Sequence, residues 1–338
     1  MAEQVLAAGD PAGEAGPTPT WTVSRFEQHR IALRGYCYRM LGSGFEAEDA
    51  VQETLLRAWR SLDRFDERRS TWRSWLFTIA TNVCFDMLRG AQRRARAMGL
   101  GPASQGPPDF GSLLPDSRWV HPIADHRVLP VDGDPAEVVA QRDTIRLAFI
   151  AALQHLPPRQ RAVLILRDVL RWRAEEVARL LDATVPSVNS ALQRARATLE
   201  TRRPAPTEPF EPMDPAQQGL LRRYVDAFER HDIDTLVSLV NEDATMSMPP
   251  FLWWLRGREA IRHVMQAGDG CRGDRLLATV ANGTAAFGQY RLREPHQRYE
   301  PFALVVLEVS GGWIVDTTTY LDATRLFPQF NLPLDWQG

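Results

Sequence analysis

The spacing of apolar residues changes once along this 338-residue chain, and that change sets which folds are open to it. Between about Thr22 and Leu199 they recur at helical intervals in two blocks; beyond Arg275 they fall into short strand-like runs. In the first block Val51, Leu55, Ala58 and Leu62 form one stripe. Trp72, Leu76, Ile79, Val83 and Met87 form another, on a helix that Thr71 caps and that runs to about Arg96. The second block starts near Ala136 and is broken at Pro157-Pro158 and again at Asp182 to Thr184. Helices near Pro215–Arg230, Ile233–Val240 and Arg258–Gln266 then precede the runs Arg275–Leu292, Tyr299–Val309 and Trp313–Leu321, with turns at Asn282-Gly283 and Gly311-Gly312. Helices followed by an antiparallel sheet predict an α+β domain behind two all-α domains.

Composition supplies the boundaries. Residues 1–20 read as a disordered leader and 21–100 as the first helical domain. Residues 101–135 collect Gly, Pro, Asp and Ser without a period and read as an acidic flexible linker. Residues 136–203 form the second helical domain, 204–214 a Pro-rich linker and 215–338 the α+β tail. All 40 basic residues are Arg, and the formal net charge of −2 conceals a segregation. Residues 20–100 carry +5 and 142–203 carry +6, whereas 101–141 carry −4 and 211–338 carry −5. Two basic blocks divided by an acidic connector predict contact with a polyanion. The chain lacks a run of about 18 apolar residues, so a spanning helix is not expected, and its start lacks the pattern of a signal peptide. Cys37, Cys84 and Cys271 lie far apart, which argues against a disulfide framework or a cysteine-rich zinc site and for a reducing cytoplasm. No metal or cofactor is expected.

Two surfaces carry the chemistry. From Arg173 to Arg196 the second block has the form of a helix-turn-helix: Val177, Leu180 and Leu181 face inward on the first helix, Val188, Leu192, Ala195 and Leu199 on the second. Thr184 can cap the second helix, whose first turn tolerates Pro186. Its outward set of Ser187, Asn189, Ser190, Gln193, Arg194 and Arg196 suits a major groove, because amides match adenine, Arg matches guanine, and both Ser and Arg reach phosphate. An Arg-rich solvated hairpin would give the same pattern. In the first block Trp75, Thr78, Asn82, Asp86, Arg89 and Arg93 share one stripe, with Arg94 and Arg96 beyond it. Aromatic rings beside Arg suit unpaired strands, whose bases stack and whose phosphates need countercharge. The alternative is that both tryptophans are core and Asp86 pairs with Arg89 or Arg93; Trp72 fits that better, and Trp75 stays open.

Together these segments resemble a bacterial sigma factor of the extracytoplasmic-function group. Residues 47–60 resemble its region 2.2, residues 70–89 its regions 2.3 and 2.4, and residues 155–167 with the helix-turn-helix its region 4. The resemblance implies that Glu48, Asp49, Ala50, Val51, Gln52, Glu53, Leu56 and Trp59 dock on the β′ clamp helices of core RNA polymerase, with the β flap as a further contact. It implies that Trp75, Asn82, Asp86, Arg89 and Arg93 open and read the −10 element. Region 4 would read the −35 element through Arg173, Glu176, Thr184, Pro186, Ser187, Asn189, Ser190, Gln193, Arg194 and Arg196. The acidic linker would thread toward the polymerase active site.

The tail departs from a minimal factor of this group. Residues 220–240, 246–250 and 254–261 resemble a SnoaL-like domain of the cone-shaped superfamily that includes ketosteroid isomerase, as carried by the SigG and SigJ types. That likeness implies a pocket lined by Met248, Phe251, Trp253, Trp254, His263 and Asp316, and a ligand-sensing or sigma-restraining module more readily than an enzyme. The expected function is promoter recognition and transcription initiation with core polymerase, modulated by the tail. Two alternatives remain: a stand-alone helix-turn-helix regulator, and a SnoaL-type isomerase or hydrolase fused to a DNA-binding unit. A small-molecule or anti-sigma regulator is left unspecified, and no membrane partner is expected.

Overall fold

A computed structural model describes residues 20–108, 111, 113–130, 135–202, 207–268, 270–293 and 298–336. The expected leader, 1–20, lies almost wholly outside these residues.

The first block is a three-helix bundle of α1 (Thr20–Leu41), α2 (Gly44–Arg60) and α3 (Trp72–Leu88). Of the two stripes expected, Val51 and Ala58 on α2 and Trp72, Leu76 and Val83 on α3 are buried, while Leu55, Leu62, Ile79 and Met87 are half-buried, Leu62 beyond the end of α2. Ala47, Ala50, Val51 and Ala58 of α2 meet Leu33, Tyr36, Cys37 and Met40 of α1 and Leu76, Phe77, Ala80 and Cys84 of α3. The Ser43 and Thr71 side chains accept the backbone N–H groups of Glu46 and Ser74 and so cap α2 and α3. α3 stops at Leu88 rather than near Arg96. Arg89 is already extended and Gly90 takes a left-handed φ of 78°, so Arg93, Arg94 and Arg96 leave the helix.

The connector is not the loose tether its composition predicts. Trp119, Val120, Ile123, Ala124, Val128 and Leu129 are buried, and a single turn, α4 (Asp125–Val128), packs on α1. The apolar residues that anchor it are few among prolines and glycines, and their partners lie elsewhere in the chain. The second block follows as α5 (Pro135–Asp143), α6 (Leu147–Leu153), α7 (Pro158–Leu164), α8 (Ala174–Leu180) and α9 (Val185–Glu200), with a π turn over Ile165–Val169 after α7. This block docks on the first. Trp172 stacks obliquely on Phe77 at 5.1 Å between ring centroids, Arg73 lies 4.9 Å over Trp172, and Arg161 donates to the Met40 carbonyl.

The tail comprises α10 (Pro215–Glu229), α11 (Ile233–Ser238), α12 (Arg258–Gln266), six strands and a terminal turn, α13 (Ala323–Leu326). β1 (Val240–Ser247), β2 (Trp254–Arg256), β3 (Arg275–Ala281), β4 (Thr284–Arg293), β5 (Arg298–Ser310) and β6 (Trp313–Tyr320) form one sheet in the order β2-β1-β6-β5-β4-β3. Among the described residues of this sheet the β1–β6 pairing alone is parallel. Ala285, Phe287, Val305 and Leu307 face Leu220, Tyr224 and Ala227 of α10. The alternate residues Ala286, Leu304, Val306 and Tyr320 belong to a core that continues into the helical blocks, and Tyr290 joins it beneath Phe327 and Trp336 at the end of the tail. With both faces covered, β4 is buried from Thr284 through Tyr290 without alternation.

The turn between β3 and β4 is driven into the helical blocks. Asn282 is 0% exposed. Its Oδ1 accepts the Ile123 N–H at 3.0 Å, and its Nδ2 donates to Tyr38 Oη and to the Ile145 carbonyl, each at 2.6 Å. Gly283 donates its N–H to Asp125 at 2.8 Å; its φ is 71°, and a Cβ there would stand 2.7 Å from the Arg142 carbonyl oxygen.

Candidate nucleic-acid interface

On α2 the exposed residues are Asp49, Gln52, Leu56, Trp59 and Arg60; Leu56 and Trp59 are large apolar side chains, each 47% exposed. Ala50 and Val51, expected at a partner interface, are fully buried in the core of the bundle. Glu48 is committed internally: it accepts from Arg34 at 2.7 Å and Arg127 at 2.8 Å, with Arg30 at 3.5 Å. Burial raises its carboxyl, but the Arg34 hydrogen bond and the surrounding arginines outweigh that and hold it below the usual range. Glu53 pairs with Arg57 at 2.6 Å.

Of the six residues read as one stripe, Trp75, Thr78, Asn82 and Asp86 lie on α3, Arg89 follows its last turn and Arg93 lies beyond it. Asn82 and Arg89 are exposed. Trp75 is half-buried, stacked on Phe65 at 4.6 Å and edge-on to Trp72 at 5.7 Å, which leaves it neither wholly core nor wholly free. Asp86 sits between Arg57 at 3.1 Å and Arg89 at 2.6 Å, an ion chain that links the outward faces of α2 and α3. Arg93 lies beyond the helix end, where it donates to His155 of the second block at 2.7 Å.

The helix-turn-helix forms as its spacing predicts. Asp182 takes a left-handed φ of 47° at the turn, the Thr184 hydroxyl accepts the Ser187 N–H, and Pro186 occupies the first turn of α9. Val188, Ala191, Leu192, Ala195 and Leu199 are buried, while Ser187, Asn189, Ser190, Gln193 and Arg194 are exposed along the opposite face. Glu176 accepts the Arg173 N–H at 2.7 Å and caps α8, so its role is structural, and the Arg173 side chain is exposed. Arg196 is held in a fork by Asp168 at 2.9 and 2.7 Å.

The six residues expected to line a pocket in the tail do not share one. His263 is exposed on α12. Met248, Phe251 and Trp253 pack with Val240, Ala244 and Ile261 in a small core. The indole N–H groups of Trp253 and Trp254 donate to the Gly106 and Gly101 carbonyls, and Trp254 packs on Ala97 and Trp119, so both tryptophans hold the connector. Asp316 lies on the sheet face turned toward the helical blocks, where it accepts from Arg96 at 2.5 Å and from Thr318 at 3.0 Å. Beside it Glu308 accepts from Arg146 at 2.9 Å, and burial pushes the Glu308 carboxyl up in spite of that arginine. Sequence reasoning passed over Glu308 and Arg146. The available signal was a lone acid in the apolar run Ala303 to Val309. Among the described residues no group of side chains is arranged to hold a metal ion, and no helix is long and apolar enough to cross a membrane.

Residues 25–94 match the family model for sigma-70 region 2, residues 146–199 that for sigma-70 region 4, and residues 221–317 that for the SnoaL-like domain. The chain is 44% identical over 314 residues to the ECF RNA polymerase sigma factor SigG of Mycobacterium tuberculosis, covering 91% of this chain and 82% of that one. It is 29% identical over 277 residues to SigJ of the same species, covering 78% and 80%. The crystal structure of Mycobacterium tuberculosis SigJ superposes with a TM-score of 0.57 at 23% identity over 92% of this chain and 99% of that one, a likeness of fold alone.

Proposed function

The chain belongs to the extracytoplasmic-function sigma factors of RNA polymerase, with a SnoaL-like domain at its C-terminus, and from that membership we propose how its surfaces divide the work of initiation. α2 docks on core polymerase through Asp49, Gln52, Leu56 and Trp59, with Glu53 at the edge. Two exposed apolar side chains beside Asp49 and Gln52 form a compact anchor for a partner. α3 addresses the −10 element: Trp75 offers a stacking face for an unpaired base, Asn82 and Asp86 offer groups for base edges, and Arg89 offers countercharge to phosphate. Arg93, outside the helix, serves phosphate rather than base. α9 enters the major groove at the −35 element, with Asn189, Gln193 and Arg194 toward bases and Ser187 and Ser190 toward phosphate. Arg173 is a flanking phosphate contact.

The observation that carries this reading is the division of α9: one face wholly buried, the other a continuous exposed row of amide, hydroxyl and guanidinium groups. Sigma factors are not enzymes, and we extend that to the tail, whose His263 and Asp316 lie on different faces of the domain. The tail acts instead as a modulator that holds the connector and both helical blocks, and the site of action is the cytoplasm with polymerase. Transcription in vitro with purified core polymerase tests the proposal. A promoter-dependent transcript is expected with the native chain, and joint Asp49→Ala and Gln52→Ala substitution should abolish polymerase association while leaving the fold intact. Association that survives both substitutions would refute the α2 assignment.

A further inference from the structure

Two arginines that the reading above leaves without a role lie at the edges of the two basic blocks: Arg96 near the end of the first and Arg146 near the start of the second. Each is engaged by one carboxylate of the tail. Arg96 donates to Asp316 at 2.5 Å, where the side chains are 16% and 8% exposed; Arg146 donates to Glu308 at 2.9 Å, where they are 7% and 6% exposed. Arg146 also donates to Thr207 and, at 2.5 Å, to the Glu208 carbonyl, so its other hydrogen-bond acceptors come from the segment leading into the tail.

Glu308 and Asp316 are direct cross-strand neighbours on β5 and β6. Like charges in that relation repel, so the doublet has a physical reason only with the arginines opposite it. The pairs are also incompletely satisfied: Arg96 Nε and Glu308 Oε1 have no hydrogen-bond partner among the described residues, and Arg146 Nε has only the looser ion pair to Asp143 at 3.4 Å. A buried ion pair with polar groups left over does little for stability. A guanidinium accepts a phosphate with the same fork geometry as a carboxylate.

Resting on the sigma-factor reading, we infer that Arg96 and Arg146 are backbone-phosphate contacts for promoter DNA, and that Glu308 and Asp316 occupy them in the free chain as stand-ins for those phosphates. The tail then restrains the factor by competing with DNA for two defined cations, and core polymerase frees them by separating the domains. The reading sharpens the charge segregation of the sequence: part of the acidic excess of residues 211–338 is aimed at the basic blocks.

The salt dependence of duplex promoter binding by the full chain reads this directly. Joint Glu308→Gln and Asp316→Asn substitution leaves Arg96 without its carboxylate and Arg146 with Asp143 alone, at 3.4 Å, and should free both for DNA. The slope of log affinity against log salt should steepen by about 1.8, about 0.9 for each phosphate gained, so that binding falls about tenfold more steeply between about 50 and 200 mM salt. A control with the same change in net charge, Asp234→Asn with Glu259→Gln on the exposed surface of the tail, should leave the slope unchanged. Adding Arg96→Gln and Arg146→Gln to the acid variant should restore the native slope. An unchanged slope in the acid variant, or a steepened slope that survives loss of both arginines, overturns the inference.

A second measurement uses the native chain and does not depend on the folding of any variant. Phenylglyoxal modification read by mass spectrometry should find Arg96 and Arg146 protected in the free chain, reactive in the complex with core polymerase, and protected again when promoter DNA is added. Protection that persists with polymerase alone would show that the tail never releases them and would also overturn it. Promoter-dependent transcription by the native chain checks the sigma-factor reading separately, and it can succeed while either of these measurements fails.

Discussion

Asn282 commits both ends of its side-chain amide to segments that lie 137 to 244 residues away. An isolated hairpin turn needs none of those partners, so the residue is a joint as well as a turn. Its replacement by Ala strands the Ile123 N–H and the Ile145 carbonyl, at about 1–3 kcal/mol for each buried group left unpaired. Asn282→Ala is therefore expected to lower stability by about 3 kcal/mol, read from urea unfolding of the full chain. The neighbouring Asp125 is a second test at this scale. Burial pushes its carboxyl up to about 6, against the partial relief of the Gly283 N–H and of Arg142, from an ordinary value of 3.8. Below 3.8 it is protonated in both states; between 3.8 and about 6 it holds its proton only when folded. Its contribution is thus present in acid and lost as pH rises through that window, by about 3 kcal/mol at most. The difference in unfolding free energy between the native chain and Asp125→Asn should shift in that direction from pH 4 to pH 7 and stay flat above; a shift of opposite sign would refute the assignment. The turn itself was legible from Asn-Gly between two β runs, but its partners were not, because nothing local marks a hydrogen bond to a helix more than 200 residues upstream.

At the scale of elements, helices with a single apolar stripe were readable and junctions between segments were not. α9 follows from its spacing, its Thr184 cap and its early Pro186, and the residues expected outward are outward. The tertiary structure adds the Asp168 fork on Arg196, an exposed ion pair that the spacing does not announce. Asn189→Ala and Gln193→Ala are each expected to cost about 1–3 kcal/mol of discrimination at one base pair of the −35 element. Binding competition between promoter variants measures this, with polymerase association unchanged. A uniform loss across all sequences would instead mark them as phosphate contacts. The overlong reading of α3 has a local cause, since the Arg-rich sequence after Leu88 continues a helical composition while Gly90 breaks the helix. The connector was misread for the opposite reason. Its Trp119 and Ile123 are too sparse to form a period, and they gain a core only from the tail and from α1.

At the scale of the molecule, the two DNA-reading blocks are docked on each other and the tail grips both. Arg161 and Trp172 tie the second block to α1 and α3, and the β3–β4 turn joins the first block, the connector and the second block at one point. The free chain should therefore be compact, with a radius of gyration near about 20 Å for its length. Small-angle scattering should show Trp172→Ala expanding that value as the helix-turn-helix loosens from α3, and an unchanged radius would place the restraint in the tail alone. This arrangement was not legible from charge, which predicts where a polyanion goes but not which carboxylates hold its place.

The sheet that is clad on both sides also governs how far the protein can be taken apart. Severed from the rest, the tail would keep Tyr290 under its own Phe327 and Trp336 but would bare the part of this face around Tyr320, whose hydroxyl donates to the Val120 carbonyl of the connector, and the helical blocks would bare the matching half. Patches of that kind mark self-association or aggregation in a lone domain. Exchanging tails between relatives is thus no modular operation: a graft succeeds only when the recipient's α1, connector and the turn before α6 carry the complementary surface, so the two parts are constrained to change together.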